Sequence, residues 1–177
     1  MDLRRFNDIL RELVLRPLSD IENSVEGIVE GLSEQFGVSR PRVVATAVPT
    51  DECGQERPGL CRGIAGRYSD GALVFFYRAT LPTILHLFAH HLQAAELGER
   101  FRAAMAYEAE RLPWELRPLE IAASVRAAQI ARSAPPRLWR IWEDEVKPRI
   151  KELDENLAKL SGEVEPLLRV IAAQARP

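Results

Sequence analysis

All three histidines of the chain, His86, His90 and His91, fall within one ten-residue stretch, ILHLFAHHLQ. His86 and His90 are four residues apart. On an α-helix such residues stand one above the other, so two imidazole nitrogens can be directed at one metal ion. This is the ligand half of the HExxH pattern, in which the glutamate after the first histidine takes a proton from zinc-bound water. That position is Leu87 here, so a ligand pair stands beside a missing base. His91 lies about 100° further round the helix than His90. Its expected role is a hydrogen bond to a backbone carbonyl or a neighbouring carboxylate at the edge of the site, in preference to catalysis.

The helix that must carry these residues has Pro82 in its first turn, Thr80 as a cap and Leu97-Gly98 at its end. Ile84, Leu85, Phe88 and Leu92 cluster on one side of it, which places His86 and His90 on the other. Upstream, Leu3, Phe6, Ile9, Leu10 and Leu13 recur at helical steps, and the helix is expected to stop near Arg16-Pro17. A second helix, capped by Ser19 or Asp20, continues through Ile21, Val25, Ile28, Leu32 and Phe36 to Gly37, giving a helical hairpin.

The period then drops to two. RVVATAV (Arg42 to Val48), CRGIAGRY (Cys61 to Tyr68) and ALVFFY (Ala72 to Tyr77) read as strands, with Ser69-Asp70-Gly71 as a tight turn between the last two. Three short strands in succession predict an antiparallel meander. Beyond the histidine helix, Glu99 to Leu112 reads as a polar helix. WELRPLEIAASVRAAQIARS reads as another, with Pro118 early and Glu120 in its first turn. Ser133-Ala134-Pro135-Pro136 ends it at a domain boundary.

The remainder is a long helix. Ile150, Leu153, Leu157, Leu160, Val164, Leu167 and Ile171 follow a heptad spacing, a narrow seam that packs either against the N-terminal helices or against a second copy of the chain. Glu143 with Lys147, Glu145 with Arg149 and Glu155 with Lys159 are spaced as ion pairs along its exposed face.

The whole is an α+β chain of 177 residues, divided as an N-terminal helix (1–20), a core (21–133) and a C-terminal helix (137–177). With 46% hydrophobic and 28% charged residues it has the balance of a globular protein. A net charge of −2 gives no footprint for a nucleic-acid backbone. No apolar run approaches the roughly 18 residues of a membrane span, so the expected compartment is the cytoplasm. Cys53 and Cys61 flank a turn-rich segment and are expected to be free thiols in preference to a disulfide.

The order of helix, three strands, HxxxH helix and acid-bearing helix resembles the minimal gluzincin metallopeptidases, the ImmA/IrrE-like proteins and archaeal minigluzincins among them. The resemblance spans about Ile21 to Ser133. It is carried by ILHLFAHHLQ, similar to that family's ILHEFAHHLQ, and by RPLEIAAS, similar to its RPxExEA segment. It implies a zincin-like core and zinc held by His86, His90 and, as third ligand, Glu120. Without the resemblance, Glu120 reads as a first-turn acid favoured by the helix dipole. Two positions depart from the family: Leu87 replaces the catalytic glutamate, and Ala122 replaces a frequent second acid.

Two histidines and a carboxylate leave a fourth position open on a tetrahedral zinc. Hydrolysis needs a base as well, and losing a positioned acid–base group costs a factor of ~10²–10⁴. The leading expectation is therefore a degenerate zinc-peptidase-like protein, with a peptide or protein ligand and without efficient peptidase activity. The alternatives are an active metallopeptidase using another base, with Glu108, Glu110 and Glu115 as the nearby acids, and an interaction protein that works through the C-terminal seam as a homo-oligomer.

Overall fold

The computed structural model of the chain describes the backbone of residues 3–48, 50–51 and 63–174, and side chains of residues 7–48 and 65–162. Cys53 and Cys61 lie outside the described residues, as do the side chains of Val164, Leu167 and Ile171. The fold is α+β and mostly helical: seven α-helices and a small mixed sheet are described. No described helix is long and apolar enough to cross a membrane.

The N-terminal hairpin is replaced by one continuous helical rod. Helix α1 (Leu3–Leu10) runs through a five-residue π-turn (Arg11–Leu15) into α2 (Arg16–Phe36). Pro17 does not stop it. A proline ring clashes with the carbonyl four residues back and cannot bond it, and the widened π-turn just before Pro17 opens room for the ring. The Leu13 carbonyl, which Pro17 has no N–H to meet, accepts a bond of 3.0 Å from Asn156 Nδ2. The rod ends at Gly37, whose φ of 63° is the left-handed stop that glycine tolerates.

The strands do not form a meander. β1 (Arg42–Thr46) pairs parallel with β5 (Ala72–Phe76), and β4 (Gly66–Ser69) pairs antiparallel with the other side of β5, giving the order β1-β5-β4. A separate two-residue pairing joins β2 (Thr50–Asp51) to β3 (Gly63–Ile64). Composition explains the arrangement. The unbroken apolar run of β5 needs cover on both sides and takes the centre, whereas GRYS, with Arg67 exposed, suits an edge. Asp70 and Gly71, both at positive φ, close the expected turn between β4 and β5.

Helix α3 (Leu81–Leu97) lies against the sheet; α4 (Arg100–Arg111), a 3₁₀ turn (Trp114–Leu116) and α5 (Pro118–Ser133) follow. The C-terminal rod repeats the device of the N-terminal one: α6 (Pro136–Ile141) passes through a π-turn (Trp142–Val146) into α7 (Lys147–Gln174), with Pro148 just beyond the π-turn. The two rods run antiparallel, joined by Ser24 Oγ to Glu145 at 3.2 Å and Asn156 to Leu13. The described part of the heptad seam is used within the chain. Leu153 and Leu160 are buried in the common core, with Ile150 and Leu157 packed on it. Of the expected ion pairs, Glu143–Lys147 forms at 2.6 Å, while Arg149 turns to Glu152, also at 2.6 Å, and Glu145 to Ser24.

Candidate metal centre

Helix α3 is the axis of the core. The sequence suggests an apolar side and a histidine side, but both are largely covered: Ile84, Leu85, Leu87 and Phe88 are buried in the common core, His90 and His91 are buried as well, and His86 is half-buried. Helix α5 lies along α3 over the histidine side, which its alanines permit, Ala123 and Ala127 being buried at the contact. That packing brings Glu120, in the first turn of α5, onto His86 and His90.

The three donor atoms form a nearly equilateral triangle. His86 Nε2 is 3.0 Å and His90 Nε2 3.1 Å from Glu120 Oε2, and the two nitrogens are 3.1 Å apart. Metal–donor bonds of about 2.0–2.2 Å in tetrahedral geometry separate donors by about 3.3–3.5 Å, so the triangle needs only a few tenths of an ångström of expansion to hold a divalent ion. This is the His/His/Glu group, among the described residues, that can take a metal.

The surrounding hydrogen bonds make the triangle more than a coincidence of distances. Gln93 Nε2 donates to the Leu119 carbonyl at 2.9 Å, which turns Gln93 Oε1 to His90 Nδ1 at 2.8 Å. That oxygen can only accept, so His90 carries a proton on Nδ1, and whenever the ring is neutral it presents a lone pair at Nε2. The lone pair points at a carboxylate oxygen and a second imidazole nitrogen. Such a meeting of acceptors is satisfied by a cation at their centre or by a shared proton. His86 Nδ1 is held by the Ser124 hydroxyl at 3.3 Å, a group that serves either tautomer.

Glu120 is buried, which by itself raises its carboxyl pKa, but against the protonated rings of His86 and His90 their hydrogen bonds and charge outweigh burial and lower it from 4.5 to about 2. It is the ionised ligand form that stands against the histidines. The start of α5 is held from outside the helix. No side chain of the N-cap residue bonds the first turn; instead Glu108 of α4 accepts from Leu119 N at 3.0 Å.

Each residue singled out in the sequence has a definite place. Leu87, buried among core residues, faces β4. His91 donates from Nε2 to the Ser39 carbonyl at 2.6 Å and meets the Tyr68 hydroxyl with Nδ1 at 3.1 Å, the backbone-bonded role expected of it. Of the acids near the site, Glu108 is committed to Leu119, Glu110 is exposed beside Arg111 at 3.8 Å, and Glu115 is exposed. Trp114, half-exposed, sets its ring 6.3 Å from that of His86.

Gln93, Ser124 and the capping role of Glu108 went unread in the sequence. The first two had a signal: Gln93 is three residues after His90 and Ser124 four after Glu120, spacings that share a helix face with the ligand. Glu108 reaches across from another helix and had none. No protein-family model, curated protein or solved structure matches the chain.

Proposed function

We propose that the chain is a zinc-binding, degenerate metallopeptidase-like protein that retains a His86–His90–Glu120 centre on a zincin-like core and lacks efficient peptidase activity. The observation that carries the reading is the convergence of three ligand atoms, with His90 Nε2 turned inward because Nδ1 is engaged by Gln93, beside a leucine at the position of the base. Zinc suits two imidazoles and one carboxylate, and bound there it supplies an open position and Lewis acidity toward water or a carbonyl oxygen. The protein's own groups do the rest of what remains: His86 and His90 offer nitrogens, Glu120 offers its ionised oxygen, and Leu87, packed against β4, has no group that can move a proton.

Neither alternative gains a specific observation. An active enzyme needs a free acid at the triangle, and Glu108 is engaged elsewhere. An interaction role through the C-terminal seam would use residues of which Leu153 and Leu160 are buried in this chain's own core. The leading reading expects a peptide or protein ligand that is bound without being cut.

Metal analysis of protein purified without an affinity tag tests it. The expected result is one zinc per chain, lost in His90→Ala, and no cleavage across a broad peptide panel. Zinc-free protein that takes up none on titration overturns the metal centre; cleavage that disappears with His86→Ala overturns the inactivity.

A further inference from the structure

Gln93 is buried, carries no charge, and spends both ends of its amide on the two helices that carry the ligands. Its oxygen accepts from His90 Nδ1 on its own helix, and its nitrogen donates to the carbonyl of Leu119, the neighbour of Glu120 in α5. Leu119 is therefore held at both peptide groups, its N–H by Glu108 of α4 and its carbonyl by Gln93 of α3. A single glutamine thereby fixes two quantities that a metal centre requires: the tautomer of one ligand and the distance to another. The bond to Leu119 also removes the ambiguity of the amide, since turning it over would set two acceptors face to face and two donors face to face.

We propose that Gln93 is the positioning residue of the metal centre, holding His90 with Nε2 unprotonated and aligning the first turn of α5 so that Glu120 completes the donor triangle. This inference rests on the metal-binding reading above. Ser124 is not equivalent: a hydroxyl 3.3 Å from His86 Nδ1 accepts or donates with equal ease and selects no tautomer. The two histidines are therefore unequal, and the centre's geometry is dictated from the His90 side.

The test compares wild type, Gln93→Leu and Gln93→Glu, using zinc competed against a chromophoric chelator and long-range nitrogen–proton NMR of the imidazoles in metal-free protein. Leucine keeps bulk and loses both bonds; glutamate keeps the acceptor for His90 and loses the donor to Leu119. Gln93→Leu is expected to bind zinc ~10–100-fold more weakly, as loss of an orienting partner does elsewhere, and to show His90 in mixed tautomers. Gln93→Glu is expected to keep the Nδ1–H tautomer and to bind zinc more weakly than wild type, because α5 loses its tether at Leu119, but more tightly than Gln93→Leu. Wild-type affinity in Gln93→Leu, or wild-type affinity in Gln93→Glu, overturns the proposal. Since wild type is measured alongside, absence of zinc binding there strikes the metal centre itself, whereas a wild type that binds zinc isolates the role of Gln93. Should Gln93→Leu not fold, the glutamate variant alone decides.

Discussion

Leu87 lies so close to Gly66 of β4 that a methyl group on Gly66 would stand 2.7 Å from Leu87 Cδ1 and 2.9 Å from the carbonyl oxygen of Val74. The leucine at the position of the base is thus fitted to a glycine on the edge strand. Gly66→Ala is expected to cost about 1–3 kcal/mol by overpacking. Because part of that cost is the overlap with Leu87, it should shrink in a Leu87→Ala background, with a coupling of about 0.5 kcal/mol or more. Urea unfolding of the four proteins in the cycle checks it; strict additivity would place Leu87 away from Gly66.

Metal addition should be visible in both stability and fluorescence. A ligand at a hundred times its dissociation constant stabilises a fold by about 2.7 kcal/mol, so zinc should raise the melting temperature of the apo-protein and a chelator should reverse the rise. Trp114, 6.3 Å from His86 between ring centres, should report the same event when the ion is cobalt or nickel. The expected partial quenching is lost in Trp114→Phe, which retains Trp139 and Trp142 and the thermal shift. In Glu120→Ala both the shift and the quenching should disappear.

Acid should weaken the metal-free fold in a defined window. The Glu120 carboxyl is lowered from 4.5 to about 2 in the folded chain, so the unfolded chain binds its proton first. The contribution of Glu120 to stability is therefore complete above pH 4.5 and is lost as the pH falls toward 2. Denaturant midpoints of chelator-treated protein should decline through this window. Glu120→Gln, which has no proton to gain, should flatten that part of the profile, and an unchanged slope in the variant would assign the acid sensitivity to other carboxylates.

The parts of this architecture that local pattern determines were legible in the sequence. Gly37 and Gly98 end helices where they were expected to, Asp70-Gly71 makes its turn, and the HxxxH spacing sets two imidazoles on one face. What was not legible depends on partners distant in sequence. Whether β1 joins β4 or β5 is a choice among edges that alternation cannot make, and it was settled by the need of Ala72–Phe76 for neighbours on both sides. The alanines of α5 announce that another helix can pack closely on it, but not that this helix is α3 or that the contact covers the histidine side. The site follows the same division: His86 and His90 were visible from spacing, Glu120 only through resemblance, and the Gln93–Leu119 bond not at all. Proline gave the clearest misreading. Pro17 reads as a stop signal, and it is overridden by a π-turn and by Asn156, which meets the Leu13 carbonyl from 143 residues further along the chain.

That override can be tested by restoring the missing donor. Asn156 is buried and gives its Nδ2 to the Leu13 carbonyl at 3.0 Å, the group left without the usual i+4 donor because residue 17 is proline. Asn156→Leu should leave that carbonyl poorly satisfied and cost about 1–3 kcal/mol. Pro17→Ala supplies an N–H that can close an ordinary α-helical bond to Leu13, so the same Asn156→Leu change should cost less in that background. A cycle of the four proteins by denaturant unfolding gives the coupling directly. A penalty for Asn156→Leu that is the same with proline or alanine at position 17 would mean that asparagine stabilises the packing of the two rods generally and does not compensate the proline. A smaller penalty with alanine would identify Asn156 as the residue that lets a proline stand within an unbroken helix.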